Sequence, residues 1–445
     1  MSFLPYASYK DSGVPWLGAV PVHWAVEKLK FLVRFAGGGT PSKADPEYWD
    51  GTIPWVSPKD MKRPRISATE DYITEAGRMN SPCTLIPPMS VLTVVRSGIL
   101  QHSIPVALNM VPVTLNQDMK ALMPSERADS RFLAYEISGC QKELREEWVK
   151  QGATVESIEH QRMADSELVL PSLPEQQAIA DYLDAETARI DALIREKEGL
   201  IRLLGEYRQS VIADLTTGAN VAVTKAETGN IFCPAIPFTW QMVRIGKYAR
   251  IGNGSTPLKD NPDYWSGGTF PWLNSAVVNQ DEVLEGSELV TDEALRACHL
   301  PIVQAGAVLI ALTGQGKTRG QATVLRIEAT INQHLAYLAA DPSAFDTDYL
   351  FWTLTGMYAA LRMISDGQGG TKGALTCEDL SRFQIPKPSL AEQQAIAVQV
   401  KTATARIDDL ITHAKAEISL LKELRAATIA DAVLGRVDVR TTRTQ

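Results

Sequence analysis

The segment Ala311-Leu312-Thr313-Gly314-Gln315-Gly316-Lys317-Thr318 follows an apolar run and nearly spells a loop that cradles phosphates with backbone amides and a lysine. Ala311 stands where such a loop needs its first glycine. The residues that follow, Arg319 to Ile327, read as a strand and not as the helix whose N-terminus would hold the anion. A flexible basic loop carrying Gln315, Lys317, Arg319 and Gln321 suits the phosphates and base edges of DNA better than a nucleotide. A second basic run, Lys59, Lys62, Arg63 and Arg65, with Arg96 further on, is either a solvated loop or a patch facing a nucleic-acid groove. At the matching place in the second half stand Asn274, Ser275 and Asn279, able to read base edges and equally able to cap turns.

Other chemistry is less well supplied. The histidines His23, His102, His160, His299, His334 and His413 are not paired at metal-ligand spacing, and the five cysteines form no C-x-x-C pair. The sequence contains neither a glycine-rich cofactor loop after a first strand nor an Asp/Asn-Pro-Pro-aromatic methyltransferase motif, and no nuclease-like carboxylate cluster stands out. We therefore expect no catalytic residues, no bound metal and no cofactor on this chain. Unpaired cysteines, a start without a basic-then-apolar leader, and apolar runs far shorter than a bilayer span point to a cytoplasmic protein away from membranes. The net charge of -8 means that any basic face is local.

These residues sit in a chain written twice. Val20-Pro21-Val22-His23-Trp24 is matched by Ile236-Pro237-Phe238-Thr239-Trp240, and Gly39-Thr40-Pro41 by Ser255-Thr256-Pro257. Pro46-Glu47-Tyr48-Trp49 faces Pro262-Asp263-Tyr264-Trp265, Pro54-Trp55 faces Pro271-Trp272, and Asn116-Gln117 faces Asn332-Gln333. Tyr48, Trp49, Trp55 and their counterparts could stack on a ligand, but their recurrence beside Pro and Gly favours a core role. The halves diverge most between about Ser57 and Pro88, against Ser275 to Leu300, so scaffolding is shared and the ligand-reading parts differ.

Pro171-Ser172-Leu173-Pro174-Glu175-Gln176-Gln177 and Pro388-Ser389-Leu390-Ala391-Glu392-Gln393-Gln394 each hold a Ser-x-x-Glu capping box opening a long apolar stripe. The first stripe runs Ile179, Leu183, Ile190, Leu193, Ile194, Ile201, Leu204, Tyr207, Ile212; the second runs Ile396, Val400, Ile407, Leu410, Ile411, Ile418, Leu421, Leu424, Ile429. Gly218 and Gly435 stand where left-handed caps would end the helices. Some forty residues at about 1.5 Å each make a rod of roughly 60 Å, and two such rods are expected to pack antiparallel. Between Trp24 and Leu170, and between Trp240 and Pro386, short β-rich runs such as Val91 to Val95 and Ala307 to Ala311 accompany helical stretches near Arg131 to Glu147 and Asp348 to Ile364. The fold class is mixed α/β: two pseudo-repeated globular domains joined by two long antiparallel coiled-coil helices. The boundaries expected are 1–170, 171–218, 219–387, 388–436 and a tail from 437 to 445.

With these duplicated blocks, above all the Pro-x-Leu-x-Glu-Gln-Gln-x-Ile helix starts, the sequence resembles the specificity subunit of type I restriction-modification systems over nearly its whole length. The resemblance implies two target-recognition domains, each reading one half of a bipartite asymmetric site in double-stranded DNA. It implies long helices that serve as spacer and docking surface for two methylation subunits, and restriction subunits beyond them. S-adenosylmethionine, ATP and Mg would then belong to those partners. The docking residues expected are Glu175, Gln176, Gln177, Arg189, Glu392, Gln393, Gln394 and Arg406.

Overall fold

The computed structural model describes residues 3–150, 155–314, 316–366 and 373–442. The chain divides into two compact units, one of Met1–Lys197 with Ala416–Gln445, the other of Glu198–Lys415. Both long helices are continuous, Leu173–Thr217 and Leu390–Val433, and the division falls inside each of them. Each unit is therefore a globular domain together with half of one helix and the opposite half of the other.

In the first unit the strands Val33–Gly37, Met119–Pro124, Val91–Val94, Val106–Asn109 and Arg65–Ile66 form a five-stranded sheet in that order. All neighbours are antiparallel except the last pair. A smaller sheet orders Thr114–Leu115, Trp49–Val56 and Asp71–Ile73. The second unit repeats this with Ala249–Asn253, Leu335–Ala340, Val308–Ala311, Ala322–Leu325 and Glu282–Val283, again with a parallel last pair. Its smaller sheet orders Glu288–Val290, Phe270–Leu273 and Thr330–Ile331. The central strands, Val91–Val94 and Val308–Ala311, are buried throughout; the second is wholly apolar and the first apolar but for Thr93.

The helical stretch expected near Arg131 to Glu147 is two helices, Ser130–Gly139 and Gln141–Trp148, and its counterpart is Thr347–Gly356 and Tyr358–Asp366. Each break coincides with a glycine at a tight helix crossing. A Cβ on Gly139 would lie 3.1 Å from Ile429 Cγ2, and one on Gly356 would lie 3.2 Å from Ala213 Cα.

Each domain is framed by its entrance tryptophan. In the first unit Trp24 is fully buried, with its indole N–H donating to Glu175 at 3.1 Å. The entrance strand Ala25–Lys28 pairs with Glu167–Leu170, the strand that feeds the first long helix. In the second unit Trp240 donates to Glu392 at 3.2 Å, and Gln241–Arg244 pairs with Gln384–Lys387. Gly218 (φ 69°) and Gly435 (φ 67°) end the long helices in left-handed conformation, as expected. A Cβ on Gly435 would lie 2.6 Å from the Pro21 ring, and one on Gly218 would lie 2.7 Å from the Pro237 ring.

Within the first unit the helix halves run antiparallel: as one helix advances from Asp191 to Lys197, its partner retreats from Arg425 to Glu417. Arg425 Nε donates to Asp191 at 2.9 Å; in the second unit Arg208 Nε donates to Asp408 at the same distance. Half of the expected stripe residues are buried, among them Ile179, Leu183, Ile190, Ile212, Val400 and Ile429, while Leu193, Ile194, Ile201, Leu204, Ile411 and Leu421 are half-buried. Tyr207, Leu410 and Leu424, also expected in the seam, lie on its outer face and are roughly half exposed or more.

Candidate nucleic-acid interface

The basic run of the first unit starts on a tight turn. Ser57 and Asp60 cap a 3-10 turn, Pro58–Asp60, through the Ser57 amide and hydroxyl, both donating to the Asp60 carboxylate at 2.8 and 3.0 Å. Lys59 projects from this turn and is exposed. Lys62, Arg63 and Arg65 line a groove of about 830 Å³ between the domain and the helix pair of the same unit, joined there by Arg131, Lys422 and Arg425. Arg65 reaches Asp184 on the first long helix at 2.8 Å and Lys62 lies 3.6 Å from Glu70, so part of this charge is already compensated. Arg96 is exposed on the loop after Val91–Val94 and, like Lys59, lies outside the groove lining.

In the second unit Asn274 caps the turn Ser275–Asn279: its Oδ1 accepts from the Ala276 amide at 2.9 Å and its Nδ2 donates to Glu288 at 3.3 Å. Of the two ways the sequence left open for Asn274, the turn cap is the one formed, and both ends of its amide are engaged. Asn279 is exposed at the end of the same turn. Gln315 lies outside the described residues. Lys317 is exposed on a loop whose carbonyls are bound from the helix Tyr358–Asp366: Tyr358 Oη donates to Lys317 O and Arg362 to Gly316 O, both at 2.8 Å. The loop passes into a turn and then the strand Ala322–Leu325, so the chain that follows it supplies no helix N-terminus.

Arg319 departs from its sequence reading as a surface cation. It is 4% exposed and ion-paired with Asp366, because the chain turns inward where glycine 320 takes a positive φ. Gln321 is half-buried, its Oε1 without a hydrogen bond among the described residues.

Of the docking candidates, Gln177, Arg189, Glu392, Gln394 and Arg406 are exposed. Glu175, Gln176 and Gln393 are buried, and they cannot meet a partner surface. Gln176 and Gln393 tie each long helix to its own domain in the same way. Each accepts from the amide of an N-cap aspartate, Asp129 at 2.7 Å or Asp346 at 2.8 Å, and donates back to Pro171 O or Pro388 O. Of the two Ser-x-x-Glu boxes expected at the long-helix starts, the one that forms is in the second unit, where the Ser389 amide and hydroxyl donate to Glu392. In the first, Glu175 instead accepts from Tyr6 Oη at 2.9 Å and Trp24, lies 3.0 Å from His23 Nε2, and pairs with Arg440 at 3.3 Å. Burial and the adjacent Glu175 carboxylate push the Tyr6 phenol well above its ordinary range.

The paired tryptophans face inward. Trp49 and Trp55 meet edge-on with centroids 5.2 Å apart, Trp265 and Trp272 at 5.3 Å, and all four indole N–H groups donate to backbone carbonyls of their own unit. A feature the sequence showed only as two separate repeated blocks is their convergence: Thr40 donates to Gln117 Oε1, and Thr256 to Gln333 Oε1 at 2.6 Å.

Residues 21–201 and 237–420 both match the family model described as the type I restriction modification DNA specificity domain. The specificity subunit of the type I restriction enzyme EcoR124I/EcoR124II of Escherichia coli is 38% identical over 204 residues, spanning 45% of this chain and 47% of that protein. The MjaIX specificity subunit of Methanocaldococcus jannaschii is 23% identical across 95% of both chains. Among solved structures, a chain from a study of the assembly and conformational transition of the type I R-M system shares the fold with a TM-score of 0.65 at 18% identity, covering 93% of this chain and 98% of that one. The HsdS subunit from Thermoanaerobacter tengcongensis does so at 0.52 and 17%, covering 94% and 98%. Two family matches, one on each half of a duplicated α/β fold, establish that the chain belongs to the type I restriction modification DNA specificity family.

Proposed function

We propose that this chain is the sequence-reading subunit of a type I restriction-modification complex, contacting the two halves of a bipartite asymmetric DNA site with its two domains. The observation that carries the reading is the pairing of one topology with two surfaces: the sheets repeat strand for strand, while the loops that crown them differ. Lys59, Lys62, Arg63, Arg65 and Arg96 dress the first domain; the second offers Asn279 and Lys317 in comparable places. Shared scaffold with unshared loops is what two readers of different half-sites require.

Two methylation subunits dock on the long helices, where Gln177, Arg189, Gln394 and Arg406 are exposed, as are Leu203 and Tyr207 in the second unit and Leu420 and Leu424 in the first. Uncovered leucines at helical spacing favour a helical partner face. Restriction subunits join that assembly; S-adenosylmethionine, ATP and Mg act on the partner subunits, and the setting is cytoplasmic. Among the described residues no helix is long and apolar enough to cross a membrane. The chain's charge of -8 is compatible with this role when the methylation subunits close around the DNA and supply cationic surface.

The test is co-expression with the adenine-methylating partner of the same host, followed by single-molecule mapping of methylated adenines. A split motif that vanishes when this chain is omitted supports the reading; methylation independent of the chain refutes it.

A further inference from the structure

The Thr–Gln contact rests on a close backbone crossing in both units, though the individual atoms that meet differ. The segment Gly38-Gly39-Thr40-Pro41 crosses Leu115-Asn116-Gln117 so closely that a Cβ on Gly38 would lie 2.1 Å from Asn116 O; in the second unit a Cβ on Gly254 would lie 1.6 Å from Ile331 O. Gly39 N donates to Leu115 O at 2.8 Å, and Gly254 N to Asn332 O at 3.3 Å. The asparagine that precedes each glutamine is buried, and its Oδ1 accepts from the second amide on: Asp118 N or His334 N, each at 3.0 Å. What this scaffold presents is an exposed glutamine whose Oε1 is occupied by the threonine hydroxyl, leaving the amide N–H2 as the end with donors to give. Gln333 Nε2 lies 3.4 Å from His334 Nε2, a contact that can engage only one of its two N–H groups.

The surroundings are not shared. The Asp118 carbonyl accepts from the amides of Val95 and Arg96, so Gln117 stands beside the loop that carries Arg96. Leu312 N donates to His334 O at 2.8 Å, and Thr313 Oγ1 lies 2.9 Å from His334 Nδ1, which puts Gln333 beside the loop that carries Lys317. An identical donor pair thus sits next to two unlike loops, one in each domain.

We infer that Gln117 and Gln333 each donate from the side-chain amide to a phosphate oxygen of the DNA backbone, fixing each domain's register on the duplex without reading sequence. The inference rests on the DNA-recognition reading above. Two domains that read different half-sites share only the sugar-phosphate backbone as a common ligand feature, and an amide N–H2 is a complement to its oxygens. The neighbouring loops then carry the discrimination.

The experiment uses the full chain assembled with its methylation partner. Binding is measured by fluorescence anisotropy on a duplex bearing the mapped motif and on duplexes with either half-site scrambled. Gln117→Ala and Gln333→Ala are each expected to weaken all three duplexes by a common factor of about ten. Gln117→Glu and Gln333→Glu keep the oxygen that accepts from the threonine but replace the donors with negative charge, and they are expected to weaken binding more than alanine does. The methylated motif stays the same in every variant. Loss confined to the intact motif, relaxation of one motif position, or unchanged affinity in the glutamate variants overturns the inference. If the unaltered complex does not distinguish the intact motif from scrambled duplexes, the recognition reading itself fails and the inference falls with it.

Discussion

Glu175 and Trp24 meet at 3.1 Å across a fully buried contact, and the equivalent pair, Glu392 and Trp240, meets at 3.2 Å. The geometry repeats but the surroundings do not: Glu175 is 3% exposed and also serves Tyr6, His23 and Arg440, while Glu392 is exposed and shared with Ser389. Glu175→Ala strands a buried indole N–H and a phenol and takes one of two carboxylate partners from Arg440, which keeps Asp438, at a cost of about 3 kcal/mol. Glu392→Ala removes a surface cap and a single indole partner, that of Trp240, at a cost of about 1 kcal/mol. Hydrogen exchange of the full chain, read separately over residues 20–30 and 236–246, should show the larger loss of protection in the first segment. Equal losses would contradict the asymmetry.

Glu136 is buried at 1% exposure on the helix Ser130–Gly139, accepting from Val169 N at 2.7 Å, and burial pushes its carboxyl well above the usual range. A raised folded pKa means that the folded chain binds a proton the unfolded chain has released. Its stabilising contribution is therefore whole below the ordinary glutamate value of about 4.3 and is lost as pH rises through the folded value. Glu136→Gln keeps an acceptor for Val169 and removes the titration. The variant should melt higher than the unaltered chain at pH 8, and the gap should close towards pH 4.5.

Gly435 combines a left-handed backbone with contact against Pro21 and Trp24. Gly435→Ala adds a strained φ and displaces a proline ring, costing about 2 kcal/mol. Gly199→Ala, within a helix where a Cβ meets nothing within 4 Å, should instead gain about 0.5 kcal/mol or more. Thermal melting of the two variants in opposite directions checks both.

Lys62 and Arg63 are exposed on the groove of the first unit. If they neutralise DNA phosphates, each alanine variant reduces the slope of log affinity against log salt by about 0.9, with little change in the motif. An unchanged slope for both removes the groove from the DNA-contacting surface.

The duplication, the long helices and their glycine caps were legible because they are written in local pattern: apolar spacing, Ser-x-x-Glu starts, a glycine after the last turn. Local pattern misled where tertiary partners decide. Ser172-x-x-Glu175 and Ser389-x-x-Glu392 look alike in sequence, yet Tyr6 and Arg440, far along the chain, draw Glu175 into the interior. Arg319 read as a surface cation because its surroundings in sequence are basic, and groups distant in sequence, Asp366 and the Gly373 backbone, enclose it. The helix breaks at Gly139 and Gly356 were invisible for a related reason: what requires a glycine there is a second helix, named nowhere in the local sequence.

That each domain reads its own half of a split site is tested most directly by exchanging residues 24–170 for the corresponding domain of a related specificity subunit and mapping methylated adenines across a genome. The expected motif changes in one half, while the other half and the identity of the methylated base stay as they were. A motif altered in both halves, or in neither, would contradict two independent readers.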